Sequence, residues 1–153
     1  MKTIITFALL IVLAIASFGK PCLAQQTTAA TSTSATHKLT VVISNVNNRT
    51  GKLYIGLANN AASFTGESIQ NKSVDVPASG EITVTFEGLT PARYAVRVYQ
   101  DLNNNQKMDF SGQMPTEPFG FSNVAMLMGP PDFDQSSFEL NEDKNIRIRM
   151  MEM

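Results

Sequence analysis

Apolar and polar residues alternate along most of the chain beyond residue 37, and this alternation predicts β-strands. Leu39, Val41 and Ile43 fall on one face of an extended segment, with Thr40, Val42 and Ser44 on the other. A weaker run, residues 72–76, stops at a proline, which is typical of a short edge strand. No window of similar length has a helical period, so the sequence predicts an all-β fold. The same alternation recurs at residues 53–58, 82–87, 94–99 and 146–151.

The connections between these segments suggest how the strands are joined. A turn-forming cluster at residues 47–51 predicts that the first two strands form a hairpin. Residues 89–94 resemble the corner of Greek-key sandwiches, where a tyrosine hydroxyl bonds to backbone a few residues upstream, so we expect Tyr94 to be structural. Short strands at regular spacing then predict a single antiparallel Greek-key β-sandwich of the immunoglobulin or transthyretin-like kind.

Residues 110–138 form a long segment that does not follow the strand pattern. It contains five phenylalanines and four prolines, so we expect an aromatic and proline-rich loop. Loops this long usually pack as compact units or carry function. Two interpretations stay open: the rings plug one end of the sandwich, or Phe119, Phe121 and Phe133 form a partner-binding surface.

The N-terminal segment has the features of an export signal. Lys2 precedes an apolar run of about 16 residues, shorter than the roughly 20 of a membrane span. Small residues, Cys22 and Ala24, stand at the two positions that a signal peptidase reads, so we expect cleavage after Ala24. We predict a signal peptide over residues 1–24, a flexible Thr/Ser/Ala-rich tether over residues 25–37 and a β-sandwich domain over residues 38–153. The mature protein is then periplasmic or extracellular, with no membrane span after cleavage.

Composition narrows the function classes. Signal removal leaves ten basic against thirteen acidic residues, a net charge of −3, which argues against nucleic-acid binding. The only cysteine belongs to the signal and His37 borders the tether, so Ser-His and Cys-His mechanisms lack support. The carboxylate pairs Asp101 with Asp109 and Asp132 with Asp134 leave one alternative, a hydrolase acting on glycans. We predict a protein that is not an enzyme.

One loop carries a pattern typical of calcium binding. Oxygen donors stand at its positions 1, 3, 5, 7 and 9, as in the first part of an EF-hand loop, and a tight turn converges such donors on a hard cation. Gln106 occupies the position of the usual glycine, and Gly112 that of the closing Glu. A weak calcium site, with Kd on the order of 10⁻⁴–10⁻³ M, and an asparagine-rich turn are both open. The proposed ligands are Asp101, Asn103, Asn105, the carbonyl of Lys107, and Asp109.

Taken together, these segments suggest a family. Residues 89–96, 101–109 and 118–123, with residues 129–133 and Phe138, resemble the small secreted bacterial proteins of domain-of-unknown-function family 2141. The resemblance implies a signal peptide, one β-sandwich-like domain and export, and it implies no biochemical activity. The chain departs from the family pattern at Gln106 and at Ala92, where glycine is usual.

We therefore expect an exported, non-enzymatic module that has a binding or structural role at the cell envelope. The expected partner is an envelope protein or a glycan. Calcium is the one cofactor that the sequence suggests.

Overall fold

The computed structural model describes residues 35–127 and 129–152 of the chain. The predicted signal peptide and the predicted tether up to residue 34 lie outside these residues. The described part is mostly β, with two short helices, and no helix in it is long and apolar enough to span a bilayer. Its elements are β1 (His37–Ser44), β2 (Lys52–Ala58), α1 (Ala61–Thr65), β3 (Gln70–Asp75), β4 (Ile82–Leu89), β5 (Ala92–Asp101), β6 (Phe110–Ser111), β7 (Met114–Pro115), β8 (Phe119–Phe121), α2 (Phe133–Ser136), β9 (Phe138–Leu140) and β10 (Lys144–Arg149).

The first sheet has three strands in the order β10-β1-β4. β1 pairs with β4 in the antiparallel sense but with β10 in the parallel sense, with Val41 opposite Ile146. The prediction of a purely antiparallel fold is therefore wrong for this pair. Parallel neighbours need a crossover connection, and the chain between β1 and β10, which visits the other sheet, supplies one.

The second sheet is antiparallel throughout, in the order β3-β2-β5-β8, with β9 pairing the beginning of β5. The long strand β5 is its centre, because β2 pairs along one edge and β8 and β9 share the other. β6 and β7 form a separate two-stranded hairpin. The edge strand predicted at residues 72–76 appears as β3, which begins two residues earlier and ends one residue earlier.

The predicted β1–β2 hairpin is wrong, because the two strands belong to different sheets. The connection between them is held by other parts of the chain. The Asn45 side-chain amide donates to the Met150 carbonyl, and the Gln100 amide donates to the carbonyls of Asn48 and Thr50, both at 2.7 Å. These hydrogen bonds fix the path of the connection between β1 in the first sheet and β2 in the second.

Side chains from both sheets share one buried cluster. The alternating residues of β1 and β4 lie in it with those of β2 and β5, as the period of two predicts. Tyr94 is buried at its edge, and its hydroxyl donates to the Thr90 carbonyl at 2.9 Å, which confirms the predicted tyrosine corner. The other strand residues that fill this core are Leu39, Val41, Ile43, Leu53, Ile55, Leu57, Ile82, Val84, Phe86, Leu89, Val96, Val98, Phe138, Leu140 and Ile148.

The aromatic and proline-rich segment is more ordered than the sequence predicts. It contains β6, β7, β8, α2 and the start of β9. None of these elements is longer than four residues, which is too short to produce a recognisable period.

Candidate ligand-binding cleft

The outward face of the second sheet carries a pair of stacked tyrosines. Tyr54 alternates with the buried Leu53 and Ile55 of β2, so its ring points away from the core. Tyr99 lies directly opposite it on β5. The two ring centroids are 5.1 Å apart and the planes differ by 14°, so the rings stack as a cross-strand pair.

A cleft of about 540 Å³ opens beside this pair. Its floor is the outward face of β2 and β5. Its walls come from α1, β8 and β6. In one wall the rings of Phe64 and Phe121 pack against each other, with their centroids 5.8 Å apart. Most of the lining is aromatic or apolar, with a few polar groups, which is the usual character of a small-molecule site. The lining residues are Tyr54, Gly56, Phe64, Thr65, Asn71, Lys72, Arg97, Tyr99, Met108, Phe110, Phe121 and Pro131.

The short helix α1 exists because both ends of its first turn are capped. The Asn60 side chain accepts the Ser63 N–H at 2.8 Å, and the Ser63 hydroxyl accepts the Asn60 N–H at 3.2 Å, which forms a capping box. The turn presents Phe64, which packs with Phe133 of α2 in a second, smaller buried cluster. The capped turn thus fixes one wall of the cleft.

Arg97 connects this wall to the sheet. Its guanidinium donates to the Phe64 carbonyl at 2.7 Å, to the Ser68 hydroxyl at 3.2 Å and to the Gly66 carbonyl. Burial lowers the pKa of Arg97 from its ordinary value, and the neighbouring Tyr99 opposes this shift. Gly56 makes the arrangement possible, because a Cβ there would lie 2.4 Å from the Ser68 hydroxyl oxygen and 3.2 Å from the Arg97 Nε.

Tyr99 links the cleft to the asparagine-rich loop. Its hydroxyl donates to the Gln106 carbonyl at 3.1 Å. Burial raises the pKa of Tyr99, and repulsion from Tyr54, Asp101 and Glu117 raises it further. The phenol therefore stays a neutral donor at ordinary pH.

The loop after β5 holds its own shape through the side chains predicted to bind calcium. Asp101 is fully buried, and its carboxylate accepts the N–H groups of Asn105 at 3.1 Å and Gln106 at 2.7 Å. The backbone takes φ values of 60° at Asn104 and 64° at Gln106, so Gln106 adopts the left-handed conformation usually given to glycine. The loop makes this tight turn without a glycine.

The other predicted ligands also take part in hydrogen bonds. The side-chain oxygen of Asn103 accepts the Asn105 N–H, and that of Asn105 accepts the Lys107 N–H. Both amides donate to the Asp109 carboxylate, at 2.6 and 3.0 Å. Asp101, Asn103, Asn105, Lys107 and Asp109 are thus brought into one loop, in the geometry of an asparagine-rich turn.

Glu117, which lies outside the loop, also holds it in shape. It is buried, and its two oxygens accept the N–H groups of Leu102 at 2.9 Å and Asp109 at 3.2 Å. Across residues 35–127 and 129–152, no group of three or more histidine, cysteine, aspartate or glutamate side chains is arranged to hold a metal ion. The calcium site stays a prediction.

The structure buries two of the three phenylalanines of the predicted partner-binding surface. Phe119 is only 2% exposed and Phe133 only 9%, because β8 pairs with β5 and α2 folds against α1. Two of the three rings are therefore internal packing, as the plug interpretation expects. Phe121 is half-buried and lines the cleft, so it is the member of this set that a ligand can contact.

The two aspartates proposed for a hydrolase in the aromatic segment have structural partners. Asp132 caps α2 by accepting the Gln135 N–H at 2.8 Å, and Asp134 pairs with Arg93 at 3.0 Å. The cleft residues Tyr54, Arg97 and Tyr99 were missed from the sequence. Their outward positions follow from the alternation, but their meeting depends on the pairing of β2 with β5.

Comparison with known proteins identifies a family and nothing more specific. The family model described as an uncharacterized protein conserved in bacteria, DUF2141, matches residues 41–149. Neither the curated proteins nor the solved structures contain a significant match. Since the matched region covers most of the chain and nearly all of the described domain, the protein belongs to the DUF2141 family of bacterial proteins.

Proposed function

We propose that this protein is an exported, non-enzymatic module that binds glycan chains of the cell envelope in the cleft beside Tyr54 and Tyr99. The fold proposed for it is a Greek-key sandwich related to immunoglobulin or transthyretin-like domains. Export rests on the sequence of residues 1–24, and the sandwich rests on the core that the two sheets share.

The observation that carries the proposal is the concentration of aromatic rings around a concave site. Tyr54, Tyr99 and Phe121 are half-buried, and Phe110 is exposed at the rim. Aromatic faces provide large apolar contact areas, and tyrosine hydroxyls add hydrogen bonds, so such a site suits the apolar faces and hydroxyl edges of sugar rings.

The size of the site favours a glycan over a folded protein partner. A stable protein interface buries about 800 Å² on each partner, most of it on broad surfaces. A cleft of about 540 Å³ instead has the volume of a small-molecule site. Short stretches of a sugar chain fit such a site, and the chain can continue at either end.

Tyrosine emission offers a direct test, because the chain has no tryptophan and only three tyrosines, two of them in the cleft. The test titrates the purified domain with hexamers of glucose and of N-acetylglucosamine and with tetragalacturonate. We expect at least one of these probes to change the emission. We expect Tyr99→Ala to weaken its binding about tenfold or more, the loss of roughly 1.4 kcal/mol typical of a central aromatic contact.

The control is Tyr94→Phe, which keeps both cleft rings and removes only the buried hydroxyl. Equal affinity in Tyr99→Ala and the unchanged protein would contradict the proposed site. The alternative function, a carboxylate-dependent hydrolase of glycans, predicts release of new reducing ends that Asp101→Ala or Asp132→Ala abolishes. Such turnover would overturn the non-enzymatic proposal.

Calcium stabilisation of the Asp101 loop is the second part of the proposal. In its support, Asn105 bonds to both Asp101 and Asp109, so two carboxylates flank it, and the backbone at Asn104 and Gln106 makes the tight turn that a calcium loop needs. Both carboxylates would supply charge to a bound ion.

The melting temperature tests this part of the proposal. With a Kd of about 1 mM, about 10 mM calcium adds roughly 1.4 kcal/mol of stability. We expect a rise in the melting temperature of about 5 °C relative to chelator, since about 1 kcal/mol shifts a domain of this size by several degrees. Asn103→Ala removes one oxygen ligand and should reduce the rise. An unchanged midpoint in calcium would leave only the hydrogen-bonded turn.

A further inference from the structure

We infer that the cleft selects glycans whose sugar rings carry an anionic group, and that Arg97 is the residue that recognises it. This inference rests on the proposed glycan-binding function. Of the residues that the structure describes, twelve line the cleft and none of these is acidic. A positively charged side chain in a largely aromatic and apolar site favours an anionic ligand over a neutral one of the same shape.

Arg97 is the source of this charge. It is half-buried, and its three hydrogen-bond acceptors, the carbonyls of Phe64 and Gly66 and the hydroxyl of Ser68, are all neutral. Among the residues that the structure describes, no carboxylate lies within 4.0 Å of its guanidinium. Within the described residues, this half-buried positive charge therefore has no counter-ion.

The guanidinium also has donors to spare. It carries five N–H groups, and the bonds to Phe64, Gly66 and Ser68 use Nη1 and Nη2. The Nε–H and one Nη1–H have no acceptor in the described part of the chain. A carboxylate or sulfate oxygen suits these donors, because charge-assisted bonds from arginine are short and strong.

Two carboxylates, Asp101 and Glu117, are near enough to repel negative charge at Tyr99, but neither lines the cleft. Lys72 lines the cleft from the edge strand β3, but its ammonium lies 5.8 Å from the ring centroid of Phe86, a residue of the other sheet. Asp101 and Glu117 are buried beneath the asparagine-rich loop, and their oxygens accept backbone N–H groups. Arg97 is thus the charged group placed to meet a ligand that stacks on Tyr99.

The experiment compares sugars that differ only in charge. Tetragalacturonate carries a carboxylate on every ring, and its full methyl ester keeps the ring and loses the charge. We expect tetragalacturonate to bind about tenfold or more tightly than its ester. We also expect added salt to weaken the binding of tetragalacturonate but not that of the ester, since salt screens charge pairs. A sulfated oligosaccharide, run in parallel, separates recognition of carboxylate from recognition of sulfate.

Variants assign the charge to its residue. Arg97→Gln should remove the preference for acid over ester, and Arg97→Lys, which keeps the charge, should retain part of it. Arg149→Gln is the matched control, because it removes an exposed arginine on β10 of the other sheet. If Arg97→Gln does not fold, the acid–ester comparison and the salt series on the unchanged protein still test the selectivity for an anionic group.

The outcomes separate the two proposals. Equal binding of acid and ester, both weakened by Tyr99→Ala, would overturn the charge selectivity and support the glycan site. If neither Tyr99→Ala nor Arg97→Gln weakens the binding of tetragalacturonate, the ligand binds outside the cleft. That result would overturn both the glycan site and the charge selectivity. Absence of binding to every anionic probe, while a neutral hexamer binds, would overturn the selectivity alone.

Discussion

Phe119→Ala should lower the free energy of unfolding by about 3–5 kcal/mol, the usual cost of removing a buried phenylalanine side chain. Phe119 is 2% exposed, and its ring packs against Phe121 with centroids 5.8 Å apart. Its backbone also joins the C-terminal segment, since Phe119 and Met151 exchange two hydrogen bonds of 3.0 and 2.7 Å. A cavity at this position weakens the contact between β8 and the rest of the domain. Denaturant unfolding measures the loss.

Phe110→Ala is the matched control, because the same deletion there removes a ring that is 58% exposed. We expect it to cost less than about 1 kcal/mol. The comparison also decides between the two interpretations of the aromatic segment, as a plug for the fold or as a partner-binding surface. Equal small losses in both variants would show that Phe119 does not support the fold, contrary to its burial.

Gly51→Ala should cost about 3 kcal/mol or more, from left-handed strain of roughly 1–2 kcal/mol together with overpacking of similar size. Gly51 has a φ of +74°, a region that disfavours residues with a Cβ. A Cβ there would lie only 2.1 Å from the Asp101 carbonyl oxygen. Relief requires the backbone at the start of β2 to move away from the end of β5, where the asparagine-rich loop begins.

Gly80→Ala separates the two contributions. Gly80 has a similar φ of +88°, but a Cβ there would meet no atom within 4 Å. We expect this variant to lose only about 1 kcal/mol, the backbone strain alone. The difference between the stability losses of Gly51→Ala and Gly80→Ala, measured by denaturant unfolding, then gives the cost of the clash with the Asp101 carbonyl. Equal losses would contradict the close approach of Gly51 to Asp101.

The alternation of side chains predicted the faces of the strands but not their neighbours. Leu39, Val41 and Ile43 point to the core as their period requires. The same pattern is satisfied whether β1 pairs with β2 or with β4, because a period of two states which face is buried and not which strand lies beside it. Hydrogen bonds from Asn45 and Gln100 to distant parts of the chain direct the connection across the sheets, and no local pattern reports them.

The cleft could not be predicted for a related reason. Tyr54 and Tyr99 are 45 positions apart in sequence and meet only through the register of β2 and β5. The wall at Phe64 depends on a helix of five residues, whose signal is the Asn60–Ser63 capping box and not a hydrophobic period. The aromatic residues conspicuous in sequence, Phe119 and Phe133, turned out to be internal packing.

Chemical-shift mapping of a bound glycan is the most direct test of the central claim that the cleft is the binding site. The measurement uses whichever oligosaccharide of the panel binds most tightly, with labelled methionine methyl and aromatic ring positions. We predict shifts for the ring signals of Tyr54, Tyr99 and Phe121 and for the methyl of Met108, which all line the cleft. The methyl signal of Met150, which is fully buried in the core, should keep its chemical shift. Shifts confined to the first sheet, with the two tyrosines unchanged, would contradict the account.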